Sequence, residues 1–175
     1  MKKILLTAVL AVSALAASAQ VWVGGSLGYT HRDVDGADVT KHNVFKVAPE
    51  VGYQLSDKVD LAIQLAFESD KRGTADAVTH FAVAPYVRYT FYQTGAVGFF
   101  IDGGFSVKTS SVDGEKAEFG IGIKPGIKFA ASDKVTFVSR LGNIGYLMNA
   151  DNVDKQKRYG IGVQNAIEFG CYYTF

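Results

Sequence analysis

The chain has 175 residues, which leaves room for one domain. Its 18 basic and 17 acidic residues nearly balance, so no excess of positive charge indicates a nucleic-acid partner. The single cysteine, Cys171, excludes an intramolecular disulfide. Beyond the first 19 residues no apolar run approaches the roughly 20 residues that a membrane-spanning helix needs.

The N-terminus has the features of a secretory signal. A positively charged start and a short apolar stretch lead to the A-x-A pattern formed by Ala17 and Ala19. We predict a cleaved signal peptide over residues 1–19 and one mature domain over residues 20–175, beginning with Gln20. Because this first residue is not cysteine, a lipoprotein anchor is not expected.

Along the mature chain, large apolar residues alternate with small or polar residues, with a period of two. Between Val59 and Glu68, large apolar residues at odd positions alternate with small or polar residues at even positions, which is typical of a strand. The same pattern predicts eight strands. They cover approximately Val21–His31, Val44–Leu55, Val59–Glu68, Val78–Phe91, Val97–Lys108, Glu118–Phe129, Val135–Tyr146 and Arg158–Phe175.

The predicted connections alternate in length. Three are short, at 56–58, 92–96 and 131–134, and four are longer and more polar, at 32–43, 69–77, 109–117 and 147–157. Short turns at one end and long loops at the other are typical of outer-membrane barrels. An even strand count then predicts that both termini are periplasmic.

Three prolines mark an internal repeat. Pro49, Pro85 and Pro125 each lie seven residues before a residue that begins or adjoins a short turn, which suggests three similar hairpin units. A proline within a strand removes a backbone donor, so we expect a local bulge at each one. In the seventh segment we expect a further bulge near Gly142 and Asn143, which would restore the apolar phase at Ile144.

The distribution of large and small side chains between the two faces of the predicted strands distinguishes a membrane barrel from a soluble one such as a lipocalin. The even positions hold most of the glycines, and the odd positions hold the bulky Phe, Tyr, Ile, Leu and Val. The interior of an eight-stranded barrel is barely wide enough for side chains, so the even face belongs inside. The prediction is an all-β fold, an eight-stranded antiparallel up-and-down transmembrane β-barrel with aromatic residues near both strand ends.

The last strand carries the most specific motif. Its polar residue, glycine, aromatic and terminal aromatic are Glu168, Gly170, Tyr173 and Phe175. The pattern resembles the β-signal of outer-membrane proteins, and the mature chain resembles the eight-stranded outer-membrane β-barrel domain family, which includes OmpX, the OmpA transmembrane domain and opacity-type porin-like proteins. The resemblance implies that the barrel assembly machinery reads these four residues. It implies location in the outer membrane of a Gram-negative bacterium.

Charged residues at even positions form a candidate site inside the barrel. Near mid-height we place three acids and three bases, namely Glu50, Arg88, Asp102, Lys124, Arg140 and Glu168. They could form an ion-conducting constriction or a closed network of paired charges. Equal numbers of the two signs favour the closed network, because unpaired buried charges are costly.

Other candidate sites are weaker. The acidic segment 33–38 lacks the spacing of a calcium loop, so no metal site or cofactor is expected. The histidines are His31, His42 and His80. A lipid-modifying enzyme of this fold would need a His, a Ser and a carboxylate together on the lipid-facing surface, but His80 has even parity and should face inward, and His31 has odd parity but no obvious Ser and carboxylate partners on neighbouring strands. Cys171 should face lipid, and Trp22 could either plug the lumen or anchor the barrel at the interface.

These observations favour a non-enzymatic outer-membrane protein with a structural or surface-interaction, adhesin-like role carried by its outer loops. A small-solute pore is the alternative, and a lipid-modifying enzyme is the third. The expected partners are outer-membrane lipids, the barrel assembly machinery and a surface ligand of unknown identity. We expect a monomer that binds no nucleic acid.

Overall fold

The computed structural model describes residues 21–34, 40–72, 77–110, 117–149 and 161–175. These residues form eight antiparallel strands that close into one barrel, as predicted. The strands are β1 Val21–Val34, β2 Thr40–Ser56, β3 Val59–Arg72, β4 Val78–Thr94, β5 Val97–Ser110, β6 Glu118–Ala130, β7 Val135–Asn149 and β8 Ile161–Thr174. Among the described residues, no helix is long and apolar enough to cross a membrane.

Each strand pairs with its neighbours in sequence, and β8 returns to β1. The first and last strands meet at Trp22 and Thr174, where the backbone N–H of Phe175 also donates to the carbonyl of Val21 at 3.1 Å. The short turns are those predicted. Gly95, with φ of +53°, forms one of them, because a left-handed backbone suits glycine.

The predicted direction of the side chains in the barrel wall is confirmed. Bulky odd-numbered side chains such as Leu27, Leu61 and Phe105 point away from the lumen and are about half exposed. Small or polar even-numbered side chains such as Ala48 and Gln64 are buried inside. The barrel therefore presents its apolar surface outward, opposite to a soluble barrel with an apolar interior.

The three prolines lie on alternate strands, and each falls in a two-residue gap in the ladder with the following strand. The gaps cover residues 48–49, 84–85 and 124–125. Only the third coincides with a register shift, between Ile123 and Gly126. The expectation of a bulge was therefore wrong at Pro49 and Pro85, where pairing is interrupted and then resumes in the same register.

The predicted bulge in β7 is confirmed. Three residue steps on β6, from Ile123 to Gly126, face four steps on β7, from Arg140 to Ile144. Gly142 absorbs the extra residue with φ of +78°. As a result Ile144, at an even position, is exposed on the outer face, like the odd-numbered residues Phe137 and Leu141 earlier in the same strand.

Large aromatic side chains occupy the part of the lumen next to the short turns, where the sequence had offered only Trp22 as a possible plug. Trp22, Tyr86, Phe100 and Tyr172 are all buried there. Glycines make the space: a Cβ at Gly52 would lie 2.2 Å from the ring of Trp22, and one at Gly126 would lie 2.4 Å from Phe100. Inward-facing glycine thus allows a narrow barrel to enclose bulky rings.

Candidate functional site: the charged lumen

Arg140 on β7 is the centre of the lumen network. Its Nη1 and Nη2 donate to the two carboxylate oxygens of Glu50 on β2, at 3.0 and 2.7 Å. The planar guanidinium matches a carboxylate in this two-bond arrangement. Nη2 also donates to the hydroxyl oxygens of Tyr86 and Tyr172, at 3.0 Å each.

Glu50 is fully surrounded by donors. Besides Arg140, its carboxylate accepts from Ser26 Oγ at 2.8 Å and Gln64 Nε2 at 2.9 Å. The hydroxyls of Tyr86 and Tyr172 donate to it at 2.6 and 3.0 Å. A buried carboxylate with this many partners has replaced the hydrogen bonds that water would supply.

Asp102 on β5 joins the two arginines. It accepts from Nε of Arg140 at 2.7 Å, and it receives Nε and Nη2 of Arg88 at 2.7 and 2.8 Å. All three side chains are at most 3% exposed. The chain of ion pairs Glu50–Arg140–Asp102–Arg88 therefore crosses the lumen without a break.

Arg88 is enclosed by aromatic rings. Its guanidinium carbon lies 4.0 Å from the ring centre of Phe100 and 5.3 Å from that of Tyr172. Trp22 stacks on Tyr172 with ring centres 4.3 Å apart. These cation–π and stacking contacts fill the part of the lumen next to the short turns.

Glu168 on β8 forms a second group of charges. Its Oε1 accepts from Nζ of Lys46 at 2.7 Å and from Nζ of Lys124 at 3.3 Å. Its buried Oε2 has no hydrogen-bond partner among the described residues, and Nη1 of Arg140 lies 3.6 Å from it. This contact links the second group to the first.

The structure brings all six of the charged residues named from the sequence into the lumen. Five of them are buried, and the side chain of Lys124 is 25% exposed. Sequence reasoning missed Lys46, Tyr86 and Tyr172 as members of the network. Their even positions were the available signal, but only the register shows which of the many even-numbered residues meet.

Other residues singled out in the sequence are placed as follows. Trp22 is inside the barrel, which decides between plug and interfacial anchor in favour of the plug. Cys171 is exposed on the outer wall, as expected. His80 occupies a lumen-facing position opposite Glu68 on β3.

Some expectations fall outside what the structure describes. The cleavage residues Ala17, Ala19 and Gln20 lie there, as do most of the acidic segment 33–38 and the side chains of two of the three histidines. In the described part of the chain, no group of three or more His, Cys, Asp or Glu side chains could hold a metal ion.

The C-terminal motif divides between the two faces. Glu168 points into the charge network, whereas Tyr173 and Phe175 are exposed outside and make an edge-to-face ring contact at 5.3 Å. Gly170 is tightly enclosed, since a Cβ there would lie 2.9 Å from Val138 and 3.0 Å from the carbonyl of Gly25. Recognition of this motif by the assembly machinery stays a prediction.

Comparison with known proteins identifies the family. A family model described as the outer membrane protein beta-barrel domain matches residues 4–168, whereas no curated protein sequence matches the chain. Among solved structures, Neisserial surface protein A (NspA) is 16% identical with a TM-score of 0.54, over 89% of this chain and 96% of that one. The outer membrane enzyme PagL is 15% identical with a TM-score of 0.51, over 88% of this chain and 98% of that one.

At such identities the likeness to these structures is one of fold. The family match, in contrast, covers most of the chain. Together with the outward apolar wall, it locates the protein in the outer membrane of a Gram-negative bacterium. The chain belongs to the family of outer-membrane β-barrel domain proteins.

Proposed function

We propose that this protein is a non-enzymatic outer-membrane barrel whose wall is a closed scaffold and whose outer loops carry a structural or surface-interaction role. The observation that carries the proposal is the lumen itself. Ion pairs join β2, β7, β5 and β4 in one layer, and the rings of Trp22, Phe100 and Tyr172 fill the next layer. A lumen filled in two layers favours a scaffold over a passage for solutes.

The charge pairing supports the same conclusion. A conducting constriction needs charged groups that remain available to a passing ion. Here the carboxylates of Glu50 and Asp102 are occupied by arginine, and both arginines are themselves buried. An ion would have to break several charge-assisted hydrogen bonds to enter.

The orientation of the barrel forms part of the proposal. The described strands are joined at one end by short turns, the first of which is Asp57 and Lys58. We assign this end, and with it both termini, to the periplasm. The longer connections then face the cell exterior, where a surface ligand can reach them. We further propose that the barrel works as a monomer among outer-membrane lipids.

Conductance in a planar bilayer tests the closed-scaffold part. The purified barrel should give at most small or flickering currents, whereas a general porin inserted in the same bilayer gives stable steps. A stable, large current from the unmutated barrel would overturn the proposal and make a small-solute pore the leading function.

Loop replacement tests where the function resides. Residues 35–39, 73–76, 111–116 and 150–160 would each be replaced by a short Gly-Ser turn in cells that express the protein. Loss of attachment to host cells with an intact barrel supports surface interaction. Unchanged attachment, combined with increased detergent sensitivity only when the whole protein is deleted, supports the structural role.

A lipid-modifying activity is the third candidate, suggested by the likeness in fold to the enzyme PagL. Mass spectra of lipid A from expressing and deleted cells address it directly. Identical spectra agree with a non-enzymatic role. A lost or gained acyl chain that depends on expression would contradict it.

A further inference from the structure

The charges of the lumen network do not balance once Lys46 is counted. The six residues named from the sequence carry both signs equally, but the structure adds Lys46 to the group around Glu168. Within the described residues, the ion pairs of the network join four basic side chains to three acidic ones. They are Lys46, Arg88, Lys124 and Arg140 on one side and Glu50, Asp102 and Glu168 on the other. One positive charge therefore has no counter-charge in the network.

The unmatched charge is that of Lys124 on β6. Oε1 of Glu168 accepts from Nζ of Lys46 at 2.7 Å but from Nζ of Lys124 only at 3.3 Å, so the nearer lysine holds this carboxylate. In the described part of the chain the long contact is the single hydrogen bond of Lys124, although an ammonium group has three donors. Its side chain is nevertheless three-quarters covered.

The acids farther toward the long connections are engaged elsewhere. Glu68 lies opposite Lys46 in the ladder of β2 and β3, but its carboxylate forms an ion pair with Lys108 on β5. Glu118 lies opposite Lys108 in the ladder of β5 and β6. It precedes Lys124 by six residues on the same strand, which corresponds to about 20 Å of extended chain. Neither acid therefore neutralises Lys124.

The lumen has room beside Lys124. Toward the long connections, the next lumen positions hold small residues, Gly122 and Gly120 on β6 and Gly104 and Ser106 on β5. The layer around Arg140 is buried, so the exposed quarter of the Lys124 side chain faces the side of the long connections. Water and small solutes can reach the ammonium group from that side without any passage through the barrel.

We propose that Lys124 and Lys46 bind one small monovalent anion, of which chloride is the simplest example, on the outer side of the charge network. An anion accepts the free N–H donors of Lys124 and also supplies the missing negative charge, whereas water can only accept the donors. The attraction is weakly screened because both lysines are largely covered. A doubly charged anion would exceed the single unmatched charge, so a monovalent one fits better.

The chloride dependence of stability tests the site. Thermal unfolding of the barrel in a zwitterionic detergent is followed while sodium chloride replaces sodium gluconate at constant ionic strength. The midpoint should rise by roughly 2–4 °C when chloride is in about fivefold excess over its dissociation constant. Lys124→Met removes the unmatched charge, so its midpoint should not respond to chloride. Lys128→Met is the matched control on the same face of β6, opposite Gly98, and should respond like the unmutated barrel.

A second variant guards against poor folding of the first. Lys46→Met leaves Lys124 and Glu168 as a balanced pair, and it should also lose the chloride response. Crystals grown in sodium bromide should show an anomalous peak in contact with Nζ of Lys124, and the peak should be absent from Lys124→Met. A midpoint of the unmutated barrel that is insensitive to chloride, an equal response in both lysine variants, or no bromide at Lys124 would overturn the proposal.

Discussion

Arg140 and Glu50 meet across the lumen through two parallel hydrogen bonds, although 90 residues separate them in sequence. Their strands, β7 and β2, are not neighbours in the sheet. The pair therefore links parts of the wall that no backbone ladder connects. Because Arg140 also binds Asp102, each of these strands depends on side chains from elsewhere in the barrel.

Removal of the central arginine should be strongly destabilising. Arg140→Ala leaves Glu50 without its cation, and an uncompensated buried charge costs about 3–5 kcal/mol. Denaturant unfolding of the barrel in lipid bilayers measures the loss. As a control, Lys58→Ala removes an exposed charge in a turn and should change stability by less than about 0.5 kcal/mol.

The same pair can be tested by a double-mutant cycle. Arg140→Met should cost less in a Glu50→Gln background than in the unmutated barrel, because one of the three acids facing it is already neutral. Additive losses would show that the two residues do not stabilise each other and that their contact contributes nothing.

The fit of Gly52 against the ring of Trp22 gives a third prediction. Gly52→Val places new atoms within 2.2 Å of the Trp22 ring, and such overpacking costs about 1–3 kcal/mol. In a Trp22→Ala background the same substitution should cost much less, since the ring is gone. Gly103→Val, where a Cβ has space, is the matched control. Equal losses at the two glycines would contradict a specific role for the ring.

Neighbouring residues on β3 test the direction of the side chains. Gln64 is 3% exposed and Leu65 is 37% exposed, so they point to opposite faces of the wall. In a Cys171→Ser background, Leu65→Cys should react with a lipid-soluble maleimide and Gln64→Cys should not. The reverse labelling pattern would mean that the wall is inverted.

The terminal aromatic residue tests the assembly signal. If Phe175 is read by the assembly machinery, its deletion should lower the amount of folded barrel in cells while refolding of the purified protein into detergent changes little. Heat-modifiable mobility on gels measures both. A parallel loss in cells and in refolding would instead indicate a stability effect, since the backbone of Phe175 bonds to Val21.

The sequence was sufficient for the architecture because a barrel wall imposes a period of two on every strand. Each strand was predicted to within about four residues of its ends, with the largest differences next to the long connections, and the extra residue near Gly142 followed from a single break in that period. The strand pairing around the prolines was harder to predict. A ladder can lose its pairing at Pro49 without any change of register, and the side-chain pattern around Pro49 does not distinguish this from a bulge.

The candidate site was only partly predictable for a similar reason. Parity and position along each strand assigned Glu50, Arg88 and Arg140 to mid-height in the lumen, but they carry no information on how far each side chain reaches across the barrel. The space for Tyr172 depends on Gly24, whose Cβ would lie 2.5 Å from the ring, and the contact arises only when β8 pairs with β1. A fit of this kind between a ring and a glycine forms only when the barrel is closed.

The partners of Arg140 come from strands spread along the whole chain, with Glu50 near the beginning, Asp102 in the middle and Glu168 close to the end. No single hairpin contains the whole network: β4 and β5 bring together Arg88 and Asp102, and β7 and β8 bring together Arg140 and Glu168. Glu50 on β2, in contrast, meets its arginine only when β7 is in place. A sheet that stopped at six strands would leave this carboxylate without its cation, which is costly in a bilayer, so the interior of this protein favours completion of the barrel over a partly inserted sheet.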